Sequence, residues 1–406
     1  MNSNISVPQR STLTLDSVDG DLIVGSRAVV KGTGSPATVK VAGTVYCEED
    51  VTFECNLSAR SLEAEDNLTI RGDLVVEEDV DVSDGRLEVH GNMKAGHVDI
   101  DEALYVSEGL IANEVDVGGS LHVEGNVKAE DIDVGGSFHA KGEAEVENVD
   151  IGGSMHIESK VTIQSLDVGG AAKVHGGTIH DIDIGGSFES TAPLEFDNID
   201  VGGTVRLTGN SKGGDVEVGG TLRVEGDLIF DHIDVGGKVD ISGSGQGKTI
   251  EVGGRAEIGG SLKLTGDLEV GGKADVAGEV ATRSIEIGGT LRARKANVET
   301  RVEVGGSIET SEGTTAAYVE IGNRGEIRGP VRADEIFVGK DAHVDSIYGR
   351  RIILRSGAEA DNVYGENVTI ESHCDIRGEV QYTEELRLGN NVRFGKQPQR
   401  VVKLPP

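Results

Sequence analysis

The sequence is poor in the side chains that build large globular cores. It has no tryptophan, 3% aromatic residues and only seven prolines among 406 residues. A core without large rings must be narrow and filled by Val, Ile, Leu and Ala. The three cysteines are too few for a disulfide framework. Cys47 and Cys374 fall at apolar positions of a repeat, so we expect buried free thiols.

Basic residues and long apolar runs are also scarce. Lys and Arg number 38 against 71 Asp and Glu, which gives a net charge of -33. This balance argues against binding to nucleic acid, whose phosphates need clustered basic side chains, and against an anionic membrane surface. Residues 1–12 lack the apolar run of a signal peptide, and no segment approaches the roughly 18 apolar residues of a spanning helix. We expect a cytoplasmic protein with no membrane span.

Glycine, in contrast, is abundant, and it recurs at a fixed interval. The chain contains 60 glycines, and one phrase repeats through the middle of it: an acidic residue, Val or Ile, then Gly-Gly. The Val or Ile of this phrase recurs nearly every 17 residues, at Val117, Val134, Ile151, Val168, Ile184, Val201, Val218, Val235, Val252, Val270, Ile287 and Val304. So regular a period predicts repeated structural units that stack on one another.

The apolar positions within one repeat predict the shape of each unit. From Val115 to Ile132 they are separated by two residues three times, with gaps of three or four between the pairs. Each pair is a short strand with both side chains on one face, and each gap is a corner. The sequence therefore predicts an all-β protein, a triangular parallel β-helix of about 22 turns. Stacked turns give a rod about 105 Å long.

We place one β-helix over 13–395, with the regular Gly-Gly block at 113–310 and irregular turns on both sides of it. The segments 1–12 and 396–406 are polar or contain proline, so we expect disordered tails there.

Two outward positions of the repeat form rows of like residues. The residue before the anchor is acidic thirteen times in succession, at Asp116, Asp133, Asp150, Asp167, Asp183, Asp200, Glu217, Asp234, Glu251, Glu269, Glu286, Glu303 and Glu320. This row is interpreted either as a solubilising face that discourages sideways stacking, or as a stripe for divalent cations or a basic partner. A second row begins with His122, His139 and His156. Because parallel side chains do not converge on zinc, we expect a solvated, pH-sensitive row and no metal site.

No catalytic motif stands out from the repeats. The segment Gly243–Thr249 ends in Gly-Lys-Thr, but Ser242 occupies the place of the first P-loop glycine. The segment also lies between predicted strands, whereas a P-loop opens a helix. The 17-residue turn and the lack of long loops and aromatic platforms argue against the known β-helix enzymes. We expect a protein that is not an enzyme and has no cofactor.

The 17-residue turns, the phrases Val115–Gly119 and Val123–Val127, and the small aliphatic core resemble the bactofilins, which are polymer-forming cytoskeletal proteins. The likeness covers about 20–395, and the acidity resembles the archaeal, halofilin-like members. The resemblance implies a right-handed β-helix, nucleotide-independent filaments and a scaffold role in cell shape. This chain is longer than a typical bactofilin domain of about six turns, and it lacks the apolar N-terminal segment of many members.

The ends of a β-helix leave an open strand edge and an apolar cross-section. We predict polymer contacts at two end turns, formed by Val24, Ala28 and Val30 at one end and by Leu388, Val392 and Phe394 at the other. The expected partner is the chain itself, end to end, with other cytoskeletal or cell-envelope proteins as further candidates. The alternative is a non-polymerising rod whose acidic face binds cations or basic proteins.

Overall fold

Every regular element in the residues that the structure describes is a β-strand. The structure is a computed structural model, and it describes residues 4–405. The chain divides into two units, of which one ends at Gly202 and the other begins at Gly203. Each unit is a parallel β-solenoid, and together they hold about 23 turns of about 17 residues. The predicted all-β solenoid is therefore confirmed.

The strands of the first unit are β1 (Ile5–Val7), β2 (Thr12–Leu15), β3 (Ser17–Val18), β4 (Leu22–Val24), β5 (Val29–Gly32), β6 (Thr38–Val41), β7 (Thr44–Cys47), β8 (Val51–Phe53), β9 (Asn56–Ala59), β10 (Ser61–Ala64), β11 (Leu68–Ile70), β12 (Leu74–Val76), β13 (Asp79–Val82), β14 (Arg86–Val89), β15 (Met93–Lys94), β16 (His97–Ile100), β17 (Ala103–Val106), β18 (Leu110–Ile111), β19 (Glu114–Val117), β20 (Ser120–Val123), β21 (Val127–Val134), β22 (Ser137–Ala140), β23 (Ala144–Ile151), β24 (Ser154–Ile157), β25 (Val161–Val168), β26 (Ala171–Val174), β27 (Gly177–Ile184), β28 (Ser187–Ser190) and β29 (Leu194–Val201).

The strands of the second unit are β30 (Thr204–Thr208), β31 (Ser211–Lys212), β32 (Asp215–Val218), β33 (Thr221–Glu225), β34 (Leu228–Ile229), β35 (His232–Val235), β36 (Lys238–Ile241), β37 (Gly245–Gly247), β38 (Thr249–Val252), β39 (Arg255–Ile258), β40 (Leu262–Leu264), β41 (Asp267–Val270), β42 (Lys273–Ile287), β43 (Thr290–Val304), β44 (Ser307–Thr310), β45 (Thr314–Ile321), β46 (Glu326–Arg328), β47 (Val331–Val338), β48 (His343–Leu354), β49 (Glu359–Ile370), β50 (Asp375–Ile376), β51 (Val380–Leu388), β52 (Arg393–Phe394) and β53 (Gln399–Arg400).

One turn consists of three strand segments, which we name by face. The first face holds the strands that end at the Gly-Gly anchor, such as β19, and the second face holds the strands that follow it, such as β20. The third face holds the strands that close the turn, such as residues 127–129 of β21. Each segment pairs in parallel with the same segment of the next turn, so that β20 pairs with β22 in the register Leu121 to Phe138. Equivalent residues therefore stack in columns.

Alternation of apolar and polar residues fixes which side chains point inward. In β19 the pattern is exposed, buried, exposed, buried, and Val115 and Val117 are fully buried. Successive strand side chains point to opposite faces, so each apolar pair reaches the core together. Burying one such Val or Leu contributes roughly 1.5–3 kcal/mol. The core is thus a stack of small aliphatic layers, as the composition predicts.

The Gly-Gly corners are places of close backbone approach. A Cβ built on Gly169 would lie 2.5 Å from the carbonyl oxygen of Gly152 in the preceding turn. Real Cβ atoms do not come that close to a carbonyl oxygen, so a side chain there would displace backbone. The Gly-Gly pair is therefore required by the spacing of the turns.

The two segments that the sequence indicates as disordered tails both contain strands, which corrects that prediction. Strand β1 pairs with β4 in the register Ile5 to Leu22, and β53 pairs with β51. The reason is visible in the spacing, because Ile5 and Val7 precede Leu22 and Val24 by one 17-residue period. The polar residues around them make the segment look disordered when only its composition is considered. Residues 1–3 and Pro406 lie outside the described residues.

All three cysteines are free and buried, as expected for the two at core positions. Burial raises the pKa of Cys55 to about 11 and raises the pKa of Cys47 and Cys374 as well. The thiolate is the reactive form, so we predict that none of them reacts with a maleimide in the native protein at pH 7. In guanidinium all three should react. Labelling in the native state at the denatured rate would contradict this burial.

Candidate functional site

The N-terminal candidates Val24, Ala28 and Val30 are fully buried and do not lie at the end of the solenoid. Val24 pairs with Val7 of β1, and Val30 pairs with Leu13 of β2. One more turn, formed by β1, β2 and β3, therefore covers them. The prediction that these three residues form the exposed end turn is wrong, because the segment predicted to be a disordered tail forms strands that cover them.

The N-terminal turn itself presents a partly covered apolar surface. Val7 and Val18 are buried, whereas Ile5, Leu13 and Leu15 are half-buried. In the residues that the structure describes, β1, β2 and β3 pair with β4, β5 and β6 respectively. Their other edges carry the unpaired backbone groups that make a strand edge adhesive.

The C-terminal candidates do lie at the last turn. Leu388 is 49% exposed, and Val392 and Phe394 are half-buried. Leu388 pairs with Ile370 of the preceding turn, and Phe394 pairs with Ile376.

A fourth apolar residue, which the sequence analysis does not include, belongs to this end. Leu386 is half-buried and lies two residues before Leu388 on the same strand, so both side chains share one face. The spacing of two could have identified it. Leu386, Leu388, Val392 and Phe394 together form the surface that we call the C-terminal end.

The predicted acidic row forms a column on the first face, which we call the acidic ladder. Its register is direct, since Asp133 pairs with Asp116 on one side and with Asp150 on the other. In the first unit it extends three turns further than predicted, through Glu63, Asp81 and Asp99. These turns lack Gly-Gly, so the anchor did not reveal them, although the same acid-before-apolar pattern was present.

Its members in the first unit are Glu63, Asp81, Asp99, Asp116, Asp133, Asp150, Asp167, Asp183 and Asp200. In the second unit they are Glu217, Asp234, Glu251, Glu269, Glu286, Glu303 and Glu320.

Stacking of carboxylates changes their titration. Partial burial, and then the neighbouring carboxylates, raise the pKa of Asp116, Asp167 and Glu269. Two charges about 4.8 Å apart repel by roughly 0.9 kcal/mol in water and by about half of that at physiological salt. The repulsion between neighbouring carboxylates therefore lowers the stability of the fold. Among residues 4–405 no group of three or more His, Cys, Asp or Glu side chains is arranged to hold a metal ion.

Neutralising one member should stabilise the fold. We predict that Asp167→Asn raises the free energy of unfolding by about 2 kcal/mol at low salt and by about 1 kcal/mol at physiological salt, because two repulsive contacts disappear. The raised pKa means that folding favours the protonated carboxyl. The wild type therefore loses stability as pH rises from the ordinary carboxyl pKa of about 4 through the higher folded value.

The advantage of Asp167→Asn should thus be small at pH 4, grow towards pH 7 and shrink in high salt. Denaturant unfolding at two pH values and two salt concentrations measures this. An advantage independent of both would show that the charge is not its cause. The exposed Asp197→Asn, which is outside the ladder and next to His180, is the control.

The histidine row lies on the second face. The ring centroids of His122 and His139 are 4.7 Å apart, and those of His139 and His156 are 5.2 Å apart. Glu124 lies 2.8 Å from Nε2 of His122, and Glu158 lies 3.0 Å from Nε2 of His139. Two of the three imidazoles thus have a carboxylate partner, and the rings follow one another along the column without forming a metal-holding group in the described residues.

The glycine-rich segment after β36 does not open a helix. Residues Gly245–Gly247 form β37, which pairs with β34 and β40 on the third face. The amide groups of this segment are used in the solenoid, since the backbone N–H of Gly245 donates to the carbonyl oxygen of Ser261. The structure thus places a short strand where the sequence indicates a glycine-rich corner between two strands.

Fold and surfaces together define the class of the protein as a parallel β-solenoid repeat protein with stacked charged columns. Comparison with known proteins adds no relative: no family model matches the chain, no curated protein matches it significantly, and neither does any solved structure. Within residues 4–405 there is no helix of the length and hydropathy that would span a membrane.

Proposed function

We propose that this protein is a non-enzymatic, cytoplasmic scaffold whose copies associate end to end into nucleotide-independent filaments that contribute to cell shape. The observation that carries the proposal is the C-terminal end, where Leu388 is 49% exposed beside half-buried Leu386 and Phe394. Leaving such side chains in water forgoes the free energy that burial would supply. An open strand edge lies beside them.

The two ends of the chain suit each other for such a contact. Leu386 and Leu388 lie on a first-face strand of the second unit, and Ile5 and Val7 lie on a first-face strand of the first unit, so the two pairs hold equivalent positions of the repeat. A second copy placed head to tail would continue these columns with parallel pairing, whereas two like ends would meet with antiparallel pairing. Both arrangements bury apolar side chains and unpaired backbone groups. The sequence resemblance to the bactofilins supports the same function, since polymerisation without nucleotide is their expected property.

Electron microscopy of the purified chain at low and high salt tests the proposal. Filaments should form without nucleotide, and more readily at high salt, because salt screens the repulsion between chains of net charge -33. Particles of one uniform length at both salt concentrations would refute end-to-end assembly.

The acidic ladder supports a second candidate, a non-polymerising scaffold that binds basic proteins. Nine consecutive carboxylates of the first unit present a regular array of negative charge. Charge of this kind accelerates association with a cationic partner and makes it salt-dependent. Binding to poly-lysine that weakens in Asp133→Asn/Asp150→Asn, together with single-length particles, would favour this function over filament formation.

A further inference from the structure

The third face of the first unit carries a column of exposed apolar and basic side chains. In turn order it holds Val75, Lys94, Ile111, Lys128, Glu145 and Thr162, and we call it the third-face strip. Val75 is 41% exposed and Ile111 is 50% exposed. The unit as a whole is strongly acidic, since residues 1–202 contain 12 Lys and Arg against 39 Asp and Glu. Exposed apolar and basic side chains in one column of such a unit indicate a contact surface.

A second column runs beside this strip, at the corner that precedes the third face. It consists of Asp73, Asn92, Gly109, Asn126, Glu143 and Lys160, which hold equivalent places in six successive turns, and we call it the corner column. The strip and the corner column together line a concavity of about 790 Å³. Gly109 has no side chain, so the corner column leaves room there for a group from outside the molecule.

Two lysines of this surface have no ionic partner in the molecule. Within residues 4–405 neither Lys94 nor Lys160 forms an ion pair, and both side chains are exposed. Lys128, in contrast, lies 2.7 Å from Oε1 of Glu145. Unpaired ammonium groups on a strongly acidic unit attract carboxylates from a partner.

The order of the charges along both columns makes this surface complementary to itself. Lys94 precedes Glu145 in the third-face strip, whereas Asp73 precedes Lys160 in the corner column. When a second copy faces the first and is turned end for end about an axis parallel to the third-face strands, each column faces its own counterpart. The basic part of the strip then lies opposite the acidic part, and the reverse holds for the corner column. Such a two-fold contact uses the same patch on both copies.

One register of the two copies brings opposite charges together in the third-face strip. With the axis midway between the turns of Ile111 and Lys128, Lys94 of each copy faces Glu145 of the other. The apolar stem of Lys128 then lies over Ile111 of the other copy. Moving the axis onto the turn of Ile111 would instead bring Lys94 against Lys128, and these like charges repel. The charges of the strip therefore select one alignment.

The corner column fits the same alignment. Asp73 of each copy faces Lys160 of the other, which supplies a carboxylate to a lysine that has none. Gly109 faces Asn126 of the other copy, and the missing side chain at Gly109 leaves room for that amide. Moving the axis onto the turn of Gly109 would set Asp73 against Glu143, and these like charges repel.

The complementary surface is long enough for a weak but specific pair. The strip continues in register to Lys40 before Val75 and to Glu195 after Thr162, and the same alignment sets Lys40 against Glu195. Ten turns at about 4.8 Å extend over about 43 Å, and a strand of three residues is about 10 Å wide. Two copies would bury roughly 900 Å² in total, which is at the low end for specific interfaces. We expect a dissociation constant in the micromolar range.

We propose that two copies of this chain pair side by side and antiparallel through the third-face strip and the corner column of the first unit. The acidic ladder favours this choice of face, because two first faces would set like charges against each other. The residues of this contact differ from those of both end turns. Side-by-side pairing is therefore a second mode of self-association, which does not depend on the end-to-end contact.

Cross-linking between two different variants tests this pairing. One chain carries Ile111→Cys and the second carries Lys128→Cys. A short bis-maleimide joins the thiols, because facing sheets stand about 10 Å apart, which is too far for a disulfide. The native cysteines are buried, so only the introduced thiols should react. We expect about tenfold more heterodimer than with Ser120→Cys in place of Lys128→Cys, since pairing raises the effective concentration of the thiol.

Ser120→Cys is the matched control, because Ser120 is also exposed but lies on the second face. In copies joined only end to end, positions 111 and 128 of different chains are many turns apart, so filaments do not produce the cross-link. Heterodimer no more abundant than with Ser120→Cys would overturn the side-by-side pairing, whether or not filaments form.

Exchange of two charges tests the alignment of the copies. Lys94→Glu in both chains sets carboxylates face to face at two symmetric contacts, so the yield of heterodimer should fall about tenfold. Adding Glu145→Lys restores opposite charges and should restore the yield. Lys263→Glu changes the net charge equally but lies on β40 of the second unit, outside the contact, and should have no effect. A yield that does not fall with Lys94→Glu, or that Glu145→Lys does not restore, would overturn this alignment.

Discussion

Phe394→Arg should abolish filament formation while leaving the solenoid folded. Phe394 is half-buried in the last turn, where it pairs with Ile376 on one side only, so an arginine can turn outward in the isolated chain. In an end-to-end contact the same charge would be buried without a partner, at a cost of several kcal/mol. At 1.4 kcal/mol per factor of ten, about 3 kcal/mol raises the concentration needed for assembly roughly a hundredfold.

Sedimentation and electron microscopy measure this change, with circular dichroism as the test of folding. Val402→Arg is the matched control, because Val402 is fully exposed near the same end and should tolerate the charge without effect on assembly. Filaments of Phe394→Arg at the wild-type concentration would exclude this end from the contact.

The corresponding N-terminal variant has to be chosen from the structure. Val30→Arg would place a charge in a fully buried position and unfold the adjacent turns, so its loss of assembly would carry no information. Leu13→Arg lies in the covering turn at a half-buried site. We expect this variant to fold, and to lose assembly only if the N-terminal end takes part.

Gly169→Ala should be strongly destabilising although it adds one methyl group. The new Cβ would lie 2.5 Å from the carbonyl oxygen of Gly152, and that oxygen belongs to backbone fixed by pairing of the flanking strands. Forcing extra atoms into a tight site costs about 1–3 kcal/mol and occasionally more. In a solenoid each turn contacts only the turns next to it, so no other contact can compensate for strain between these two turns.

Gly109→Ala is the comparison for this substitution. A Cβ there would meet the Asn92 side-chain oxygen at 3.2 Å, and a side chain can move where a paired backbone cannot. We expect a loss below about 1 kcal/mol, because the contact can relax. Denaturant unfolding measures the loss in free energy of unfolding for both variants. Equal losses would mean that the close approach of adjacent turns is not what excludes a side chain at the Gly-Gly corner.

The periodic part of the fold could be predicted because each turn repeats the same local physics. Val115 and Val117 predict an inward-facing strand, and Gly118-Gly119 predict a corner. The equivalent positions do the same in the other turns of the regular block. The sequence alone does not decide whether the Gly-Gly pair is needed for positive φ or for close backbone approach. The structure shows that close approach is the reason, because a Cβ at these glycines would lie too near a carbonyl oxygen of the preceding turn. None of these anchoring glycines has the positive φ seen at Gly209 and Gly226.

The two end turns are harder to predict than the repeated turns, because each end occurs once and no repeat pattern marks it. Ile5 and Val7 obey the period, yet polar neighbours and the missing Gly-Gly made them look like a tail, and the end turn was placed one turn too far into the chain. Leu404 and Pro405 line one concavity together with Tyr348 and Tyr364, although this neighbourhood is not local in sequence and follows no period. Only the path of the chain brings them together.

Pairing of each turn with the next in a common register has a consequence for how such a chain can change in size. Because the core columns and the outward columns follow the same turns, removal or addition of one whole turn restores every column, whereas removal of part of a strand shifts apolar residues towards water. The size of the molecule is therefore quantised. A gene that gains or loses complete turns changes the number of turns in a unit while the two end turns, and whatever they bind, stay the same.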